Sequence, residues 1–176
     1  MRRSAIVVVF CTVLPISMPA SAAQRTFVAS TGMDSNPCTL PLPCRTFAAA
    51  MTLADPNGEI VVLDSAGYGP VTITKAVSIV APPGVYAGIT VPIAQNGVTV
   101  SSGTFDVVLR GLAIAGNSAG SKGIAASHSG SLIVERCTIE GMASDGINVW
   151  PSSSSIVVAI RDIQIARVNG IGIYVA

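Results

Sequence analysis

The residues that could carry chemistry in this chain are few, and each has a structural reading beside the functional one. The chain's single histidine, His128, lies in the polar stretch Ala126-Ser127-His128-Ser129-Gly130, where it reads as an exposed loop residue rather than a general base. Asp145 precedes Gly146, and its side chain is expected to bond the backbone of its own turn. Ser152 to Ser155 form a serine run with no base beside them to activate a nucleophile. The glycine-rich stretch 111–120 lacks the Lys-Ser/Thr ending and the following helix of a phosphate loop. Trp150, before Pro151, has two readings. An exposed indole is a flat, apolar platform for a sugar ring, and a buried one packs under a loop.

Charged residues are equally sparse. The net charge is +1 and only 11% of residues are charged, so no basic face exists for phosphate neutralisation and nucleic acid is excluded as a partner. The adjacent pair Arg161-Asp162 reads as part of a surface ion-pair ladder. Arg110, Glu135 and Arg161 share one position of a repeat, and Gly111, Arg136 and Asp162 share the next. Such exposed pairs are worth about 0–1 kcal/mol each and are no catalytic device.

Of the four cysteines, Cys38 and Cys44 are six apart across Thr39-Leu40-Pro41-Leu42-Pro43 and are expected to form a local disulfide. With one histidine in the chain, tetrahedral zinc lacks ligands, and no metal or other cofactor is expected. Cys137 sits within an apolar pattern and reads as a buried, inert thiol.

The elements that position these residues are repetitive. Arg2 and Arg3, an apolar run over residues 5–16, Pro15 and Pro19, and the small residues Ala20, Ser21 and Ala22 have the layout of a secretory signal. Cleavage is expected before Ala23 or Gln24, removing Cys11 and leaving a mature chain without a membrane span, secreted or periplasmic. Phe47, Ala50, Met51 and Ala54 recur at helical spacing and predict a helix over 45–54, followed by a buried strand over 59–64. Beyond it, Val71/Ile73, Val77/Ile79, Ile89/Val91 and Val98/Val100 are period-2 pairs separated by Gly, Pro and Asn.

A register then appears by subtraction. Val107, Leu109, Leu112 and Ile114 recur 25 residues later as Leu132, Val134, Cys137 and Ile139, and 26 further on as Val158, Ile160, Ile163 and Ile165. Gly123-Ile124, Gly146-Ile147 and Gly170-Ile171 track them as a second marker. Constant registers of this length mean stacked units. The period-2 pairs exclude helical repeats, and the missing Leu and Asn ladder excludes leucine-rich repeats. An antiparallel sandwich gives no reason for the register, so a parallel β-solenoid is expected.

Arg25-Thr26-Phe27-Val28, Asn36-Pro37-Cys38, Pro43-Cys44-Arg45-Thr46-Phe47, the stretch 67–75 and Val108-Leu109-Arg110-Gly111-Leu112 carry a resemblance that spans the whole mature chain. The chain resembles the right-handed parallel β-helix proteins of the pectin-lyase-like superfamily, and within them a subgroup of exported bacterial β-helix repeat proteins without an assigned activity. The resemblance implies an all-β, right-handed parallel β-helix whose Phe47/Met51 helix caps the N-terminal end. It divides the chain into a signal peptide (1–22), a cap segment with disulfide and helix (23–58) and β-helix rungs (59–176).

The Asn-Thr-Asp, Asp-Asp, His-Gly and Arg-Ile-Lys segments of the related glycosidases are not found. The expected function is therefore non-catalytic binding of polysaccharide or another cell-envelope surface partner, with Trp150 the candidate contact. A degenerate or atypical lyase or hydrolase of the same fold is the alternative, and an envelope scaffold a third reading. The run Gly170 to Ala176 ends in mid-pattern, so the last rung is expected to be truncated or covered by a partner.

Overall fold

The computed structural model describes residues 24–151 and 156–176. Residues 1–23, which include the segment expected to be a secretory signal, and Ser152 to Ser155 lie outside the described residues. The described chain begins with β1 (Arg25–Val28) and a short helix, α1 (Phe47–Leu53). Five coils of three strands follow. The first is β2 (Gly58–Val62), β3 (Ala66–Gly67) and β4 (Val71–Ile73); the second is β5 (Val77–Val80), β6 (Ala87–Thr90) and β7 (Val98–Val100). The third is β8 (Val107–Arg110), β9 (Leu112–Ala115) and β10 (Ile124–Ala126); the fourth is β11 (Gly130–Glu135), β12 (Thr138–Glu140) and β13 (Ile147–Val149). The fifth is β14 (Ile156–Arg161), β15 (Gln164–Ala166) and β16 (Ile173–Val175).

Equivalent strands of successive coils pair in parallel. The result is three sheets, which we call A (β1-β2-β5-β8-β11-β14), B (β3-β6-β9-β12-β15) and C (β4-β7-β10-β13-β16). The architecture is an all-β parallel β-helix with one short helix, as the repeat register predicts. Within every strand, alternate side chains face the interior, which is why the period is two along a strand and one coil between strands. Val107 pairs with Leu132 and Leu132 with Val158, while Leu109 pairs with Val134 and Val134 with Ile160. Ile114, Ile139 and Ile165 are likewise in register. These columns fill the interior, and each fully buried Leu or Ile contributes about 1.5–3 kcal/mol.

The corners explain the rest of the pattern. Between sheets A and B, one residue turns the chain in coils three to five: Gly111 at φ 75°, Arg136 at φ 52° and Asp162 at φ 51°. Left-handed φ at a fixed place in the repeat is what that column encodes. Arg136 and Asp162 form no ion pair with each other among the described residues, so this column is a corner and not a rung of a charge ladder. The neighbouring column is a ladder: Glu135 lies 2.8 Å from Arg110 and 3.5 Å from Arg161.

A Gly-Ile marker opens each strand of sheet C from the third coil on, but its last member is Gly172-Ile173 rather than Gly170-Ile171. Ile124 pairs with Ile147, and Ile147 with Ile173. The step from Ile139 to Ile147 is eight residues, as is the step from Ile165 to Ile173. A two-residue slip leaves every side chain on its face, so alternation alone does not distinguish the two registers.

At the N-terminal end, α1 lays Phe47, Ala50 and Met51 over the first coil, with the Phe47 ring 5.2 Å from the buried Tyr68. The helix begins two residues later than its apolar spacing implies because Thr46 is an extended N-cap whose hydroxyl accepts from the Ala49 N–H. Asp34 holds that cap by accepting from the N–H groups of Arg45 and Thr46 at 2.9 and 2.8 Å. Cys38 and Cys44 are joined as a disulfide with Cα atoms 4.7 Å apart, both buried beside β1.

At the other end, β14, β15 and β16 are the last strands of their sheets, and the inward-facing Val158, Ile160, Ile163 and Ile165 are only partly buried. Among the described residues no helix is long and apolar enough to cross a membrane.

Candidate functional site

The outward faces of the three sheets differ in chemistry. Sheet A carries half-buried aliphatic side chains (Val80, Val108, Ile133) beside the Arg110–Glu135–Arg161 ladder. Sheet B presents Ala113 and Thr138 outward, with Gly88 of the same column buried and Arg167 paired to Glu140 at its edge.

Sheet C is different. Its strands bury Val71, Ile73, Val98, Val100, Ile124, Ile147 and Val149, so the residues between them must point outward. The outward column runs Thr72, Thr99, Ala125, Asn148, Tyr174, each paired with the next. A second column, one register step further, runs Thr74, Ser101, Ser127, Trp150. It is fixed by the N–H groups of Ser101, Ser127 and Trp150, which donate to Ile73, Val100 and Ala126 of the preceding coil.

Trp150 is 61% exposed, so the buried reading of this indole is corrected. It follows Val149, whose side chain fills the interior, and strand alternation turns the next residue out. Its ring lies nearly parallel to that of Tyr174, with centroids 6.0 Å apart and an angle of 18° between the planes. Two aromatic rings are thus held on adjacent coils at one end of the face. At the other end, α1 and the turn bearing Gln95 and Asn96 wall an open recess of about 710 Å³, floored by Thr72, Thr74 and Thr99. Lys75 lies on its rim, but its ammonium donates to the Ala54 carbonyl at the C-terminus of α1.

The remaining chemical candidates are committed to structure. His128 is fully buried, contrary to the expectation of an exposed loop residue. Its ring stacks on Phe105 at 5.4 Å, and Nε2 lies 3.2 Å from the Ser131 carbonyl. Nδ1 has no hydrogen-bond partner, and burial denies the ring the substrate access that a general base needs.

Asp145 takes its backbone hydrogen bond from the next coil, accepting from the Ile171 N–H at 2.9 Å, and accepts from the side-chain amide of Asn148 in its own coil at 2.8 Å. Asp106 does the same for the Ser131 N–H at 2.9 Å. Asp64 accepts from the Ser30 N–H and hydroxyl and from the Tyr68 hydroxyl. The bond from the Ser30 hydroxyl, followed by that from Tyr68, holds its carboxyl below the usual carboxylate range. Burial, then the Asp64 bond, pushes the Tyr68 phenol up. Burial also raises the Cys137 thiol, which is free and inert. Among the described residues no group of three or more His, Cys, Asp or Glu could hold a metal ion.

Among the described residues, the outward columns of sheet C carry aromatic rings, hydroxyls and an amide, and no carboxylate, ammonium or imidazole. Tyr174 is the outward aromatic ring that the sequence reading did not single out. Either register turns Tyr174 outward: Gly170-Ile171 would set it opposite Trp150, whereas the observed Gly172-Ile173 sets it opposite Asn148 and diagonal to Trp150. Compared with protein-family models, with curated proteins and with solved structures, the chain matches none.

Proposed function

We propose that this chain is a non-catalytic β-helix that binds glycan on the outer face of sheet C, exported to the periplasm or cell surface. The kinship with pectin-lyase-like repeat proteins belongs to the same proposal. The observation that carries the reading is the exposed Trp150 ring beside Tyr174, in line with the outward Thr72, Thr99 and Asn148. A bare indole on a soluble surface is costly to keep in water, and a sugar ring offers it an apolar C–H face with hydroxyls at the rim.

Neighbouring hydroxyl and amide groups on this face can exchange water for sugar hydroxyls at little net cost. Asp64, Asp106 and Asp145 each accept from a backbone N–H of a neighbouring turn of the chain, which supports binding over turnover. The test is retention of the purified chain on immobilised polysaccharides, with Trp150→Ala beside it. Wild-type retention that Trp150→Ala loses is the expected result. Equal retention of both proteins removes this face from the account.

A further inference from the structure

The outer face of sheet C is uncharged along its whole length. Neither outward column contains an acidic or basic residue: one runs from Thr72 to Tyr174 and the other from Thr74 to Trp150. Of the charges at its margins, Lys75 and Asp145 have hydrogen-bond partners. Lys75 donates to the Ala54 carbonyl, Asp145 accepts from Ile171 and Asn148, and Lys122 stands one coil from that carboxylate at the same corner.

Among the described residues the paired arginines lie elsewhere. Arg110 and Arg161 share Glu135 on sheet A, and Arg167 pairs with Glu140 at the edge of sheet B. A polyuronate carries a carboxylate on every sugar and would need a cation, or a cluster of metal-binding carboxylates, at nearly every coil. Sheet C presents neither.

We propose that the ligand of this face is an uncharged polysaccharide lying along the axis of the coil stack. The proposal rests on the glycan-binding reading and names its substrate class. Direction follows from the columns. Polar groups recur along the axis about every 4.8 Å, and a sugar unit in an extended chain advances by about the same distance. Five strands then offer a track on the order of 19 Å, from the recess against α1 to the rings of Trp150 and Tyr174. That length accommodates four to five sugar units, with the aromatic pair at one end and Thr72, Thr74 and Thr99 at the other.

The experiment is calorimetric titration of the full chain with neutral gluco-, manno- and xylo-oligosaccharides of increasing length and with a galacturonate hexamer, at about 0.05 M and about 0.5 M salt. Trp150→Ala, Tyr174→Ala, Thr99→Ala and Lys122→Gln are run beside the wild type, each first checked for native circular dichroism.

The expected result has three parts. A neutral series gains affinity up to about four or five units, and that affinity changes less than about twofold with salt. Trp150→Ala weakens it at least about tenfold and Thr99→Ala about threefold. Lys122→Gln leaves it unchanged. Binding of the galacturonate hexamer alone, weakened by salt and by Lys122→Gln, overturns the neutral class while the glycan reading stands. Binding of neither class overturns both.

Discussion

Glycine at one repeat position makes a paired prediction possible. Gly123 and Gly172 both open a strand of sheet C, yet only Gly123 has a coil stacked above it. A methyl group built on Gly123 would lie 2.5 Å from Ile139 Cγ2 and 2.6 Å from the Gly146 carbonyl oxygen. Neither can easily give way. Ile139 is 1% exposed within its column, and the Gly146 carbonyl accepts from the Ile124 N–H at 2.9 Å.

Overpacking of this kind costs about 1–3 kcal/mol, offset by about 0.4–1 kcal/mol from the stiffer unfolded chain. Gly123→Ala should therefore lose on the order of 1–2 kcal/mol. For a chain of this size that lowers Tm by about 2–8 °C. A methyl group on Gly172 meets nothing within 4 Å. Gly172→Ala should keep only the unfolded-state gain and raise Tm by about 1–4 °C. Thermal melts by circular dichroism, with urea midpoints as a second measure, give both values. Equal shifts in the two variants, or a neutral Gly123→Ala, would mean that the coils do not stack in this register.

The remaining predictions concern the cap, the ladder and acid stability. Replacing Cys38 and Cys44 together by serine opens a loop with a sequence separation of six, and should cost about 2 kcal/mol by chain entropy, read as a lower urea midpoint. Glu135→Gln leaves Arg110 and Arg161 without their shared carboxylate and should cost no more than about 1 kcal/mol, a difference that shrinks at high salt. The Asp64 carboxyl sits below its ordinary value because of Ser30 and then Tyr68. It therefore stabilises the fold at pH values above about 4, and that contribution fades as pH falls through its lowered folded-state value. Asp64→Asn should flatten the acid limb of a stability–pH curve, and an unchanged limb would assign acid sensitivity to other carboxylates.

Much of the fold is legible in the sequence because stacking converts a tertiary contact into a constant offset. The recurrence of Val107, Leu109, Leu112 and Ile114 in two later coils is the interior itself. What escapes the pattern depends on partners that no local spacing marks. His128 is buried by Phe105, 23 residues earlier, and α1 starts where Asp34, 12 residues upstream, holds its cap. Asp145 is drawn away from its own turn by an N–H 26 residues on. The candidate site was half visible: Trp150 stands out by type alone, while Tyr174 faces outward in either register and only its place opposite Asn148 depends on a register that alternation cannot choose.

Trp150 is the chain's single tryptophan, so its emission reports directly on the proposed contact. Titrating the full chain with a soluble neutral hexasaccharide series while following that emission tests the central claim most simply. The account predicts a saturable blue shift with at least one neutral series as a sugar ring displaces water from the indole. An emission that stays unchanged while calorimetry records binding would place the ligand on another face and contradict it.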